Sequence, residues 1–220
     1  MSIFLKRLQI IEIMKVLIIL GLPLSGKTTH AIKVNDLLDL NQNIPLVETG
    51  PFVFKAVDEL GLEPNPSNVK KVVQNLKETY GDAVFTIRAL DHIKANFSDR
   101  SVVILSGPKA KSEIDVIADD IGRENVVLVS FHASFKTRHS RLLNTDRKNA
   151  SKGGKSVEDE VMARDPTKLV LRDTKELSYG LGELMALADY VINTENRNWP
   201  HKTFDDTLID FANVIKQIIS

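Results

Sequence analysis

The sequence predicts an α/β fold, a five-stranded parallel sheet with helices on both faces. Three observations lead there. Short apolar runs alternate with segments whose apolar residues recur at helical spacing. Gly21-Leu22-Pro23-Leu24-Ser25-Gly26-Lys27-Thr28 spells G-x-x-x-x-G-K-[ST], a phosphate-binding loop placed between one such run and one such segment. Right-handed crossovers between parallel strands then give a doubly wound, three-layer sandwich of the P-loop NTPase kind.

The loop comes first because its residue types are dictated by chemistry. Lys15 to Leu20 reads as a buried strand running into it, and Thr29 to Leu38 as the helix leaving it. Gly21 and Gly26 let the backbone approach phosphates and take turns closed to other residues. The N–H groups of Leu22, Pro23's neighbours Leu24 and Ser25, and the first helical turn through Thr29 form a nest for an anion. Lys27 reaches β/γ-phosphate oxygens, and the Thr28 hydroxyl is placed to ligate Mg²⁺.

The remaining elements follow in order. Ile44 to Val47 reads as the second strand. Pro51 to Leu60, Asn68 to Tyr80 and Ala83 to Phe97 read as three helices, with Ser67 as N-cap of the second. Ser101 to Leu105 is the third strand, Ser112 to Ile121 a helix, Val126 to Phe131 the fourth strand and Ser134 to Leu143 a helix. Asn144 to Lys155 is polar, with Gly153-Gly154, and too hydrophilic for core. Helices are expected around Val157 to Ala163 and from Asp173 to Leu187, a last strand over Asp189 to Asn193, and a closing helix over Phe204 to Ile219. Two insertions stand out, a helical one over about residues 50–97 and a polar, basic one over about 144–160. The first suits an acceptor-binding module and the second a lid.

Composition sets limits. Twenty-nine Lys and Arg balance 29 Asp and Glu, which argues against a dedicated nucleic-acid or anionic-membrane binder. The absence of cysteine rules out disulfides and thiol chemistry. No apolar run reaches the roughly 18 residues of a membrane span. A cytoplasmic location is expected. Met14 stands directly before the first strand and reads as the true initiator, with residues 1–13 as an added extension to a domain over 14–220. The competing reading of 1–13 is a short amphipathic helix packed on that domain.

The chain resembles nucleoside-monophosphate kinases and, more closely, an archaeal family described as adenylate-kinase-related or dephospho-CoA-kinase-like. Beyond the P-loop, the resemblance rests on five stretches in order. These are Gly61-Leu62-Glu63-Pro64-Asn65-Pro66-Ser67-Asn68-Val69, Leu76-Lys77-Glu78-Thr79-Tyr80-Gly81 and Arg138-His139-Ser140-Arg141-Leu142. Arg172-Asp173-Thr174-Lys175-Glu176-Leu177 and Gly182-Glu183-Leu184-Met185-Ala186-Leu187-Ala188-Asp189 complete the set. It implies ATP with Mg²⁺ as donor and a nucleotide or similar small molecule as acceptor. It also implies departures. Where the family has Gly-Asp and an Arg three residues on, this chain has Gly50-Pro51-Phe52-Val53-Phe54, with a cation only at Lys55. Where the family has Glu-Gly-x-Arg, it has Ser106-Gly107-Pro108-Lys109. Ser106 carries no charge for a metal or its waters, and Lys109 lacks the fork of an arginine.

Site roles are therefore assigned as follows. Lys27, Arg138 and Arg141 are the expected catalytic residues. The two arginines lie one helical turn apart, placed to clamp phosphates or stack on adenine; the bland alternative is a solvated helix face. Gly50, Lys55, Lys77, Gly107 and Lys109 are the expected acceptor-binding set. Arg147, Lys148, Lys152 and Lys155 form a basic lid tip or simply a charged loop. Arg172-Asp173 opens a helix as a lid hinge or an ordinary helix-end charge pair. Glu48 and Asp58 are candidates to replace the missing carboxylate, or else solvated surface groups. Asn193 to Asn196 lies beside the adenine or forms a plain turn, and Phe52 and Phe54 read as core or groove-lining. The five histidines have no metal-ligand spacing.

Two functions compete. One is a small-molecule kinase; the other is a nucleotide-binding sensor or partner module whose transfer activity is weak or lost. A GTPase is disfavoured because no Asn-Lys-x-Asp motif is present and no Asp-x-x-Gly follows the third strand. Removing residues 1–13 should leave folding and nucleotide binding intact, because the central strand starts after them. Circular dichroism and ATP titration of the truncated protein check this, and loss of folding would show that the segment packs into the domain.

Overall fold

A computed structural model describes residues 14–38, 43–143, 165–196 and 201–220. Five parallel strands form one sheet in the order β2-β3-β1-β4-β5. They are β1 (Lys15–Leu20), β2 (Leu46–Glu48), β3 (Val102–Ser106), β4 (Val126–His132) and β5 (Tyr190–Asn193). The central β1 pairs with β3 on one side, Leu17 against Ile104, and with β4 on the other, Leu17 against Val127. The chain leaves β1 toward one edge and later crosses to the other, so the loop after β1 sits where the strand order reverses. Such a crevice at the carboxyl ends of the strands is where ligands bind in sheets of this kind.

The helices are α1 (Lys27–Lys33), α2 (Gly50–Glu59), α3 (Pro66–Tyr80), α4 (Val84–Phe97) and α5 (Lys111–Ile121). They continue as α6 (Phe135–Leu143), α7 (Pro166–Ser178), α8 (Leu181–Ala186) and α9 (Phe204–Ile219). Both faces of the sheet are covered, and the residues of β1 divide by parity between them. Leu17 and Ile19 pack with Ala31 of α1 and Phe211 and Ile215 of α9. Val16, Ile18 and Leu20 pack with Ala89 and Ile93 of α4, Ile117 of α5 and Leu181 of α8. A strand with both faces buried reads as a continuous apolar run, as KVLIIL does. Each fully buried Leu or Ile contributes about 1.5–3 kcal/mol, which makes this strand the mechanical centre of the fold. A smaller cluster of Ala56, Val57, Val72, Val84 and Phe85 holds α2, α3 and α4 to one another. No helix of the described residues is long and apolar enough to cross a membrane.

Several sequence expectations need correction. The apolar run at Ile44 to Val47 does not pair as a unit. Pro45 interrupts it with a residue that has no N–H, and β2 begins at Leu46. The N-cap of α3 is Asn65 rather than Ser67. Its side chain accepts from Asn68 N at 2.9 Å, with Pro66 at the first helical position. The helix expected over Asp173 to Leu187 is two helices, α7 and α8. The break falls at Gly180, whose φ of 102° ends helical propagation. Arg172-Asp173 thus lies inside α7 instead of opening a helix. Phe54, read as core or groove-lining, is 55% exposed, whereas Phe52 packs against the core and meets His92 edge-on.

The carboxyl ends of β2 and β3 are fastened by one close approach. Thr49 N donates to Ser106 O at 2.9 Å, and the Thr49 side chain occupies the space beside Gly107. A Cβ at Gly107 would lie 1.9 Å from Thr49 Oγ1, and its φ of 128° excludes other residues. Gly107→Ala should therefore lower unfolding free energy by at least about 2 kcal/mol, combining backbone strain with overpacking. Adding Thr49→Ala should recover the packing part. Urea denaturation of the single and double variants measures both.

Candidate functional site

The P-loop is held from its carbonyl side. Gly21 O accepts from Lys27 Nζ at 2.6 Å and Leu22 O from the same group at 3.1 Å. Pro23 O accepts from Arg138 at 3.1 Å, and Leu24 O from Arg141 at 2.7 Å. Ser25 O accepts from Thr194 Oγ1 at 2.7 Å, and Gly26 O accepts from His30 N at 3.0 Å. In a trans peptide the N–H points opposite to the carbonyl. With each carbonyl from Gly21 to Gly26 taken by a protein donor, the loop offers its N–H side to a ligand, which is the arrangement that suits an anion.

Two residues show the cost of this shape. Gly21 has φ 142°, and a Cβ there would meet the Phe131 carbonyl oxygen at 2.4 Å. Leu24 takes φ 69°, a left-handed conformation that costs a non-glycine residue on the order of 1–3 kcal/mol. Leu24 is held there twice over. Arg141 binds its carbonyl, and its side chain packs on Leu142 of α6 and Leu169 of α7.

Arg138 is 3% exposed and does not lie on a solvated helix face. It makes a bidentate pair with Asp173 of α7 at 2.8 and 2.6 Å, and its Nε donates to Ala133 O at 3.2 Å. Arg141 also donates to Thr194 O at 2.6 Å. The structure therefore brings both arginines to the loop, on its carbonyl side. Thr194 and Glu195, expected either beside the adenine or in a plain turn, are buried. Glu195 accepts from Ser134 N at 2.9 Å and from Thr137 Oγ1, fixing the start of α6 to the loop after β5.

Beside the loop opens a cleft of about 410 Å³. Lys27, Thr28 and Thr29 line it together with Arg141, Asn196, Thr203 and Phe204. His30 of α1 closes its floor, with Nε2 2.8 Å from Thr207 Oγ1 and Nδ1 2.9 Å from Gly26 O. Burial pushes the His30 pKa below its ordinary value, so the neutral ring is favoured there. The wall at Thr203 is built by a capping box. Asp206 N donates to Thr203 Oγ1 at 3.1 Å and Thr203 N to Asp206 Oδ2 at 2.9 Å, starting α9 at the rim.

Across the loop, Thr28 Oγ1 lies 3.4 Å from Glu48 Oε1 at the end of β2. Gly50, Gly107 and Lys109 cluster along the carboxyl ends of β2 and β3. Lys109 pairs with Glu176 of α7 at 2.7 Å, and Glu113 accepts from Lys109 N at 2.8 Å. Lys77 of α3 instead pairs with Asp82 at 3.6 Å, and Lys55 is exposed on α2, so the structure does not gather those two with the rest. Asp58 is likewise exposed on α2. Arg147, Lys148, Lys152 and Lys155, the helix around Val157 to Ala163 and residues 1–13 lie outside the described residues.

Asp173 and Glu176 are the site residues for which the sequence assigned no role of this kind. Their signal was helical spacing. Leu169, Arg172, Asp173 and Glu176 share one face of α7, and that face meets the P-loop.

The fold is a five-stranded parallel α/β sandwich with a G-x-x-x-x-G-K-[ST] loop after its central strand. No family profile matches the chain. It is similar over most of its length to archaeal proteins of the UPF0200 group. It is 29% identical over 202 residues to the one from Methanocaldococcus jannaschii, covering 92% of this chain and 89% of that protein. It is 24% identical over 205 residues to the one from Pyrococcus horikoshii, covering 93% and 98%. A solved structure from Chloroflexus aurantiacus, described as a candidate kinase, superposes with a TM-score of 0.53 at 14% identity. That match covers 94% of this chain and all of the other, a likeness of fold.

Lys27 is the charged group under greatest stress. Burial lowers its pKa from 10.5 to about 8; Glu176 opposes that shift, and Lys109, Arg172 and Arg138 add to it. The folded value lies below the unfolded one, so between about pH 8 and 10.5 the unfolded chain binds more protons and stability rises with pH. Below pH 8 the full cost, up to about 3 kcal/mol, is present. Lys27→Met should therefore flatten the alkaline rise, while loss of the donor to the Gly21 and Leu22 carbonyls, about 1–3 kcal/mol, offsets what the variant gains at pH 7. Thermal denaturation from pH 7 to 10 reads both effects.

Proposed function

We propose that the protein binds ATP with Mg²⁺ at Gly21–Thr28 and transfers the γ-phosphoryl group to a nucleotide-like small molecule. The relation to adenylate and dephospho-CoA kinases belongs to this proposal. The observation that carries it is the loop whose carbonyls are all engaged and whose N–H side, Lys27 and Thr28 open on one cleft. In this reading the triphosphate lies over the nest and Lys27 leaves the carbonyls of Gly21 and Leu22 for the β/γ-oxygens. The base extends toward Arg141, Asn196 and Phe204. Arg138 acts by holding Pro23, and Arg141 holds Leu24 while meeting the base or sugar. Thr28 would hold Mg²⁺, which when bound offsets phosphate charge. The acceptor oxygen bonds to the γ-phosphorus as the bond to the β,γ-bridging oxygen breaks, and ADP leaves with the electron pair.

A second reading, nucleotide binding with weak or lost transfer, is favoured by the acceptor side. Ser106 is neutral, Pro51 and Phe54 stand where the resemblance implies Asp and Arg, and Lys109 is paired with Glu176. A single electrostatic contact of this class is worth about 3 kcal/mol in a transition state. We expect slow or absent transfer to simple monophosphates with ATP still bound. Calorimetry with ATP should show strong binding by the parent protein and marked weakening in Lys27→Ala; equal affinities refute the donor site. A coupled assay with AMP, CMP, UMP, GMP and dephospho-CoA tests the acceptor side. Turnover of about 1–100 per second on any monophosphate would show the departures to be harmless.

A further inference from the structure

We propose that Glu48 supplies the metal-side carboxylate of this site, one strand away from the neutral Ser106; this rests on the nucleotide reading above. The register of β2 against β3 places Glu48 directly opposite Ser106. Both therefore stand at the carboxyl edge of the sheet, on the face shared by Leu46, Ile104 and α1. The charge expected at the end of β3 is displaced to the end of β2 without changing face.

The surroundings of Glu48 point to a cation. Its Oε1 lies 3.4 Å from the Thr28 hydroxyl, and it forms no salt bridge among the described residues. A carboxylate beside a phosphate nest repels the ligand that the nest attracts, unless a cation stands between the two anions. The donor set fits Mg²⁺. Hydroxyl and carboxylate oxygens are hard ligands, and neighbouring oxygens around Mg²⁺ are about 2.9 Å apart, close to the separation already present. Glu48 can ligate such an ion directly or through one of its waters. Asp58, the other acidic candidate, is exposed on α2 and has no such contact.

The test is metal coupling of nucleotide affinity. Calorimetry with a non-hydrolysable ATP analogue, in Mg²⁺ and in EDTA, gives the ratio of the two Kd values for parent, Glu48→Gln and Asp58→Asn. The parent should bind more tightly with Mg²⁺. Glu48→Gln should lower that ratio by about 10–100-fold, or to unity where the parent ratio is smaller. Its affinity in EDTA should be unchanged or tighter, since a repulsive charge is gone. Asp58→Asn should keep the parent ratio. A Glu48→Gln protein with the parent's ratio overturns the proposal, as does an equal loss in Asp58→Asn or a parent indifferent to Mg²⁺. A parent that binds the analogue under neither condition overturns the nucleotide reading itself. Both substitutions are on exposed positions, and far-ultraviolet circular dichroism confirms that each protein is folded.

Discussion

The capture of the P-loop carbonyls is the constraint on which the rest of this molecule depends. A loop that must present N–H groups has to turn its carbonyls into the protein, and each then needs a donor. Three separate elements supply them. Lys27 and His30 act from α1, Arg138 and Arg141 from α6, and Thr194 from the loop after β5. These donors are positioned in turn by Asp173 of α7, Glu195 after β5 and Thr207 of α9. The loop is thus the inner surface of a hydrogen-bonded shell, built from chain segments far apart in sequence.

That shell explains why charged groups are tolerated inside. Removing Asp173 would leave the Arg138 guanidinium buried without its carboxylate, a loss typically worth about 3–5 kcal/mol. The pair fixes α7 against the loop, and the contact of Leu24 with Leu142 and Leu169 fixes it again by apolar packing. The left-handed Leu24 persists because both are in place. Lys27 belongs to a different category. Its burial destabilises the empty protein, and a triphosphate would relieve that cost by supplying negative charge.

The sheet was legible in the sequence because parallel strands buried on both faces leave uninterrupted apolar runs. KVLIIL and VVILS are such runs, and a G-x-x-x-x-G-K-[ST] loop after the first orients the whole fold. Element ends were less legible where one residue's backbone decided them. Pro45 delayed β2, and Gly180 divided one amphipathic pattern into α7 and α8. The loop was legible from its residue types, since Gly21 and Gly26 take the positive-φ turns that glycine allows. Its supporting side was not, since Arg138 and Asp173 are 35 positions apart and Ser25 and Thr194 are 169 apart. Pairs like these are set by tertiary contact and leave no local spacing.

The P-loop and the strand ends beside it are fastened in different ways. Around the loop, each carbonyl from Gly21 to Gly26 has a protein donor, and the adjoining cleft is walled by a capping box and a buried histidine. At the carboxyl ends of β2 and β3 the chain is fastened as firmly, by Thr49 against Gly107 and by Glu113 on the backbone after β3. Lys109 is engaged there by Glu176 of α7. An exposed pair such as Lys77–Asp82, away from these strand ends, is worth little, about 0–1 kcal/mol. The half-buried Lys109–Glu176 pair is the stiffer of the two, and it joins the end of β3 to the same helix that Asp173 ties to the P-loop. Through α7, the loop after β3 and the P-loop are held by one element.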